Sequence, residues 1–286
     1  MAEKEWDVIV RGNDHHFHIP IKEILKCKDL IMLLVKRNFI ANYKQTVLGP
    51  AWAIIQPFFT TVVYSIFFGN IAGLGAENVP NFIFYLSGTI VWHLFSQVLI
   101  KTSGTFVNNT NILGKVYFPR MVMPITTMLS EFISFAIQFV FLICFLLYYL
   151  MTTTNIFPNW FIILTPILVL QVAVLGLGCG IIISALTTKY RDLTMLVGFG
   201  VSLWSYASPV AYDMFSRAAL MPGGRFYDLY MLNPITPIIN VFRYAYFGCG
   251  NIDWMYYGIS WISTIIVLII GINLFNRVEK TFMDTV

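Results

Sequence analysis

WFIILTPILVLQVAVLGLGCGIIISAL, residues 160–186, contains no Asp, Glu, Lys, Arg or His. A helix needs roughly 20 mostly apolar residues to cross the hydrocarbon core of a bilayer, and this run exceeds that. Five further segments meet or approach the same length: 51–72, 82–101, 121–150, 193–211 and 257–276. The sequence therefore predicts an all-α polytopic membrane protein with six transmembrane helices. An even number of crossings puts both termini on one side. Composition agrees: of 286 residues, 58% are hydrophobic and 11% charged, with a mean hydropathy of +0.73. Soluble domains carry about 25% charged residues, and so few charges could not cover a soluble surface.

The same numbers exclude other classes. The apolar content rules out disorder. Four cysteines (Cys27, Cys144, Cys179, Cys249) with no CxxC pair are too sparse for a secreted disulfide scaffold. Cys144 and Cys179 lie in apolar runs, where a thiol acts as a small hydrophobe.

Charge placement gives the orientation. Of the 18 Lys and Arg, 8 precede the first span, 3 lie between spans two and three, 2 between spans four and five, and 2 follow span six. That is 15 on one face, against 3 (Arg217, Arg225, Arg243), all in the loop 212–256, on the other. Short loops rich in Lys and Arg stay cytoplasmic, so both termini are expected in the cytoplasm. The N-terminus MAEKEWDVIV lacks the basic-then-apolar order of a signal peptide. The first span is expected to direct insertion.

Three regions outside the spans stand out. Residues 21–48 interleave Ile21, Ile24, Leu25, Leu34, Phe39, Ile40, Tyr43 and Val47 with Lys22, Lys26, Lys36, Arg37 and Lys44. The segment is too charged to span, and it reads as an amphipathic helix in the cytoplasmic interface or as a solvated cytoplasmic helix. Gly49-Pro50 ends it and starts the first span. The loop 102–120, TSGTFVNNTNILGKVYFPR, is the cytoplasmic loop large enough for a docking element. The outer region 212–256 includes YDLYMLNPITPIINVFRYAYFG, too apolar for a solvated loop and too broken by Pro to span. It predicts short re-entrant helices buried by protein, with a small exposed outer domain as the other option. The extension 1–20 contains EWDVIV, which reads as a short strand, and His15, His16 and His18. These three read as a polar lead-in rather than a metal site, since no Cys or acidic ligand array accompanies them.

The search for chemistry is mostly negative. There is no G-x-x-x-x-G-K-[ST], because Asn109 stands where the first Gly before Gly114-Lys115 would be. The chain is thus expected to lack a nucleotide site of its own. Gly176, Gly180 and Ser184 recur every four residues, as close helix packing requires. Glu131 is the one carboxylate in the six segments, and His93 a lone imidazole. Ion-coupled transporters usually carry several intramembrane ionisable groups, so Glu131, near Arg120 in sequence, reads as half of a structural pair or a helix-end cap. His93 reads as a satisfied core histidine. The outer-loop charges Asp213, Arg217, Arg225, Asp228, Arg243 and Asp253 have no diagnostic catalytic spacing. Trp52, Trp160 and Trp254 fall at span ends, as interfacial anchors do. Tyr64, Phe67, Phe68, Trp92, Phe199, Trp204 and Tyr206 within or near spans read either as packing and lipid-facing rings or as a stacking surface for sugars.

Five stretches together resemble the membrane subunit of ABC-2 type polysaccharide exporters: KRNFIANYKQTVLGPAWAIIQPF (36–58), NNTNILGKVYFPRMVMPI (108–125), TTKYRDLTMLVGFGVSLWSYASPVAYD (187–213), LNPITPIINVFRYAYFG (232–248) and RVEKTFMDTV (277–286). The resemblance runs along nearly the whole chain. It is strongest to the O-antigen permeases, with the teichoic acid and capsule permeases close behind. It implies a transport subunit, not an enzyme, in which two copies form the pathway and two copies of a separate ATPase subunit bind ATP and Mg. It implies a coupling loop carrying Asn111, Lys115, Tyr117, Phe118, Pro119 and Arg120, and a short second cytoplasmic loop carrying Tyr190, Arg191 and Asp192. Tyr64, Phe67, Trp204 and Tyr206 are nominated as channel lining. Lys36, Arg37 and Lys44 would frame the basic entrance, and Asn233, Pro234 and Arg243 mark the re-entrant region. The implied substrate is an undecaprenyl-linked glycan moved to the outer face of the cell (inner) membrane, with no nucleic acid partner. An ABC-2 exporter of small drugs or lipids, an integral membrane acyltransferase and an ion-coupled flippase are the rival expectations.

Overall fold

The computed structural model describes residues 21–44, 46–76, 78–105, 118–187, 192–215 and 220–282. These residues are helical with connecting turns, and no strand occurs among them. The candidate strand and the histidines of 1–20 lie outside the described residues, as do Asn111, Lys115, Tyr117, Tyr190 and Arg191.

The predicted interfacial segment forms two helices, α1 (Ile21–Lys26) and α2 (Lys28–Tyr43), broken at Cys27. Five helical stretches are long and apolar enough to cross a membrane: Gly49–Ile71, Asn81–Ser103, Val122–Thr152, Trp160–Thr187 and Trp254–Arg277. The first comprises a 3-10 turn at Gly49–Ala51, helix α3 (Trp52–Tyr64) and a π-helical turn at Ser65–Ile71. Next come α4 (Asn81–Ser103) and α5 (Val122–Thr152). The fourth stretch is a 3-10 turn at Trp160–Leu164 followed by α6 (Thr165–Thr187). The remaining helices are α7 (Leu193–Tyr206), α8 (Tyr227–Met231), α9 (Ile235–Phe247) and α10 (Trp254–Phe282).

The segment expected to span over 193–211 is shorter as a helix. α7 stops at Tyr206 after 14 residues, about 21 Å at 1.5 Å per residue. Pro209 disfavours helical geometry at the residue before it and supplies no N–H. The chain turns over 207–212 instead.

Helix α4 is the centre of the bundle. It is packed by α3, α5, α6, α7 and α9, and Ile83 through Val91 are all buried. α6 packs closely on one side of it. A Cβ at Gly176 would lie 2.9 Å from the Phe95 carbonyl oxygen, and one at Gly180 would lie 2.7 Å from Thr102 Cβ. The expectation of glycine-mediated packing holds. Gly178 serves the opposite side of α6: its added Cβ would lie 3.1 Å from Leu268 Cα in α10. Side-chain hydrogen bonds tie the same elements. Gln171 Nε2 donates to Ser260 Oγ at 2.9 Å, and Ser260 Oγ donates to the Pro234 carbonyl at 2.5 Å.

α9 packs against α4, α6 and α10, and every residue of Ile235–Phe247 except Tyr244 is buried. Its C-terminal carbonyls are satisfied by the connection before α6. Phe157 N–H reaches Phe247 O at 3.3 Å and Asn159 N–H reaches Ala245 O at 2.8 Å. Gly248, at φ 70°, closes the helix in the left-handed conformation.

The tryptophans expected at span ends are exposed there: Trp52 49%, Trp160 75% and Trp254 54%. A second set of exposed apolar residues belongs to the Gly49–Ile71 stretch and α7: Phe59, Val63, Ile66, Phe67, Met195, Leu196, Phe199 and Leu203.

Candidate functional site: a polar seam, a guanidinium clamp and a cavity between connections

On α4, His93, Gln97 and Lys101 are spaced by four, so they share one face. On α5, Glu131, Ser134 and Gln138 are spaced by three and four and share another. The antiparallel helices bring these faces together. Lys101 Nζ donates to Glu131 Oε1 at 2.7 Å, and Gln138 Nε2 lies 3.1 Å from His93 Nδ1. Glu131 is thus paired, as expected, but with Lys101 of a neighbouring helix rather than with Arg120, its neighbour in sequence. His93 is the satisfied histidine that was expected.

The seam also receives α2. Asn38 Nδ2 donates to Ser130 Oγ at 3.3 Å and Tyr43 OH meets Ser134 Oγ at 3.3 Å. Asn42, Tyr43, Trp52, Gln56 and Gln97 join the ion pair around a cavity of about 230 Å³. Lys36, Arg37 and Lys44 are exposed on the same segment. The expected entrance cations therefore sit on a helix whose other side is hydrogen-bonded to α5.

The clamp lies at the other end of the bundle. Arg243 on α9 is 3% exposed. Its Nη1 donates to Pro209 O at 2.6 Å and to Tyr212 O at 3.4 Å, and its Nη2 donates to Val210 O at 3.1 Å. These carbonyls belong to the turn where α7 ends. The guanidinium stacks on Phe84, with Cζ 3.8 Å from the ring centroid. Its planar fork suits this arrangement and keeps its charge. Gly88 makes room, since a Cβ there would lie 2.6 Å from Nη2.

Asn233 completes the clamp. Its Oδ1 accepts from Trp204 Nε1 at 3.2 Å and from Ile235 N–H at 3.4 Å. Its Nδ2 donates to Ala207 O at 3.2 Å and Ser208 Oγ at 2.9 Å. One carboxamide thus joins the end of α7 to the start of α9, while Pro234 takes the Ser260 hydroxyl. The three residues nominated for the re-entrant region converge on this junction.

The nominated channel residues divide. Trp204 is half-buried, edge-on to Phe95 at 5.0 Å between centroids. Tyr64 packs on Phe68 and Tyr85 and lies beside Ser205 and Tyr206. Phe67 and Tyr206 are 57% and 56% exposed. Among the residues nominated for coupling, Phe118 and Arg120 are buried just before α5 and Pro119 is half-buried. Asp192 is exposed at the start of α7.

A cavity of about 530 Å³ opens where the connections after the first long stretch, α5 and α7 meet the turn after α9, lined by Asn78, Asn155, Phe157, Asp213, Phe215 and the Gly248–Gly250 turn among others. Asp213 N–H donates to Leu74 O at 2.8 Å, and its Oδ1 accepts from Phe215 N–H at 3.3 Å. Burial pushes the Cys249 thiol up to about 11, so it stays protonated at neutral pH. Nearby, burial and then Asp253 push the Tyr227 hydroxyl up to about 12.

Gln97, Gln138 and the cavity between the connections were missed in the sequence. The i, i+4, i+8 spacing of His93, Gln97 and Lys101 was the available signal for the seam. No local pattern marks the cavity, because its walls come from segments far apart in the chain.

The profile of the family described as "ABC-2 type transporter" matches residues 29–247. The chain is 25% identical over 257 residues to the O-antigen export system permease protein RfbA of Klebsiella pneumoniae, covering 90% of this chain and 94% of that protein. It is 26% identical over 195 residues to the protein of the same name from Myxococcus xanthus, covering 68% of this chain and 72% of the other.

Proposed function

This chain belongs to the ABC-2 type transporter family, and from that premise we propose that it is the membrane subunit of an ATP-driven exporter of a lipid-linked polysaccharide. The observation that carries the substrate class is the similarity to O-antigen export permeases along 90% of the chain. Two copies of the chain enclose the pathway, and two copies of a cytoplasmic ATPase subunit bind ATP and Mg and drive it. The substrate is a glycan on an undecaprenyl-type lipid, moved from the cytoplasmic to the outer face of the cell (inner) membrane.

Six crossings underlie this reading. The five long helices supply five, and α7 with the turn 207–212 supplies the sixth. The 15-to-3 distribution of Lys and Arg supports cytoplasmic termini. Non-helical backbone within a membrane persists only where protein satisfies it. Arg243 and Asn233 do this for the turn after α7, which supports α8 and α9 as re-entrant helices. α1 and α2 lie in the cytoplasmic interface, where Lys36, Arg37 and Lys44 attract the lipid pyrophosphate at about 1 kcal/mol per cation.

Chemistry in this chain is confined to recognition and movement. The ATPase docks on the loop 102–120 and on 187–192, with Asn111, Lys115, Tyr117 and Asp192 as contacts. Phe118 and Arg120, being buried, transmit the displacement into α5. Tyr64, Phe67, Trp204 and Tyr206 offer ring faces to the sugars as the two copies part. Ring stacking tolerates shifts in register, which a sliding polymer requires.

The test is to tag this chain alone, co-express it with a candidate ABC ATPase subunit from the same genome, and measure co-elution and ATPase activity. A two-plus-two complex that Lys115→Glu with Tyr117→Ala weakens is the expected result. Purification of the chain alone under all conditions, or unchanged surface polysaccharide in a strain lacking it, would overturn the reading.

A further inference from the structure

We propose that the cavity at Asn78, Asn155, Phe157, Asp213 and Phe215 is a sugar-binding site that holds the glycan as it leaves the pathway. The inference rests on the export reading and deepens it by placing a substrate contact on the outer side.

Size is the first argument. At about 530 Å³, the cavity lies within the roughly 300–1,000 Å³ range of small-ligand pockets. The kinds of groups lining it are the second. Two carboxamides and one carboxylate present planar donors and acceptors of the kind that pair with adjacent hydroxyls. Two phenyl rings offer apolar faces on which a sugar ring can lie. Among the described lining residues the one carboxylate, Asp213, is a poor donor set for a divalent cation, which takes six or more oxygens. Among the described lining residues no Lys or Arg stands to meet a phosphate. A neutral polyol fits the set best.

The third argument is preorganisation. The Asp213 carboxylate is held by Phe215 N–H, and its own N–H is tied to the Leu74 carbonyl. Phe157 is fixed through its backbone to the end of α9, yet its side chain is 66% exposed. The floor is the Gly248–Gly250 turn, where side chains have no room. A Cβ at Gly250 would lie 2.7 Å from Phe215 Cε2, and one at Gly248 would lie 2.9 Å from Phe157 O. The walls thus come from the connections after the first, third and fifth crossings and the turn after α9. The same walls meet the clamp, since Arg243 O lies 4.0 Å from Cys249 Sγ. Sugar held here is positioned next to the residues that brace α9.

The experiment uses the chain assembled with its ATPase in nanodiscs. The probe is the host's own glycan, freed from its lipid by mild acid, with binding followed by saturation-transfer NMR. Phe157→Ala and Asn155→Ala remove exposed side chains and keep the backbone contacts. Each is expected to weaken binding by about tenfold or more, as loss of a stacking face or a hydrogen-bond pair should, with the two-plus-two complex still assembling. In cells, Asn155→Cys is expected to be shielded from a membrane-impermeant maleimide while glycan is being exported and labelled when its synthesis is switched off. No binding by the unaltered complex, binding by both variants as tight as by the unaltered complex, or labelling indifferent to export would each overturn the site. The export reading fails by a different result: surface glycan that persists when the chain is deleted.

Discussion

Gln138 Nε2 on α5 donates to the Ala53 carbonyl of α3 at 3.0 Å. That carbonyl is the one Pro57 strands. Four residues on, an ordinary residue would offer its N–H, and proline has none. Within a bilayer no water takes its place, so a side chain from a neighbouring helix does. Replacing Gln138 by Leu should leave the carbonyl unpaired and cost about 1–3 kcal/mol. Adding Pro57→Ala should restore the backbone bond and recover part of that loss. Thermal unfolding of the purified chain in detergent measures both, and equal loss in the single and double variants would refute the pairing.

Arg243 should tolerate no conservative replacement. Lysine has one ammonium in place of a fork and cannot serve Pro209, Val210 and Tyr212 at once. Each stranded buried carbonyl costs about 1–3 kcal/mol, so Arg243→Lys should lower the yield of monodisperse protein sharply. Gly88→Ala should mimic it, because its Cβ would meet Nη2 at 2.6 Å. A Gly88→Ala protein with unaltered stability would show that the guanidinium has room to move.

The Lys101–Glu131 pair is asymmetric, with side chains 40% and 4% exposed. Lys101→Ala leaves a buried carboxylate without its cation, while Glu131→Gln leaves a lysine that can reach water. The first should destabilise more. Breaking a fully buried pair costs roughly 3–5 kcal/mol, and the exposure of Lys101 reduces this to about 1–2 kcal/mol. Combining the two changes should be milder than Lys101→Ala alone. A double-mutant cycle by thermal shift gives the coupling directly.

Close packing of α6 on α4 predicts the fourth outcome. Gly180→Ala adds a Cβ 2.7 Å from Thr102 Cβ and 2.9 Å from the Leu99 carbonyl oxygen. Overpacking of this kind typically costs about 1–3 kcal/mol. Gly198→Ala, where an added Cβ meets nothing within 4 Å, is the internal control and should be neutral or slightly stabilising. Proteolysis rates in membranes compare the two.

Some of the site was legible in advance for a physical reason. Asn233, Pro234 and Arg243 stand in a segment too apolar for water and too broken to span, and such a segment has to find partners inside the protein. Arg243 could be singled out there, but the identity of its acceptors could not. They lie about thirty residues earlier, in a turn created by Pro209. Glu131 shows the same limit. As a lone carboxylate in an apolar run it announced a need for a cation, yet Arg120 and Lys101 were equally available until α4 and α5 were laid side by side. The end of α7 at Tyr206 was overrun for a related reason, since Ala207–Ala211 is apolar enough to continue a span. Pro209 is the local sign that the helix stops, and the carbonyls gathered by Arg243 show what the turn is tied to.

By itself, the sequence determined that this chain is helical and membrane-embedded, where its five long apolar helices lie, and where its cations gather. Each of these follows from local composition, because burial of apolar side chains and satisfaction of backbone hydrogen bonds are decided within a single helix. What the tertiary structure alone decided is which polar groups meet. Gln138 with Ala53, Lys101 with Glu131, Arg243 with the turn after α7, and the cavity between the connections all join residues distant in the chain. In a low-dielectric interior a polar group must find a partner, but the packing of helices chooses which one.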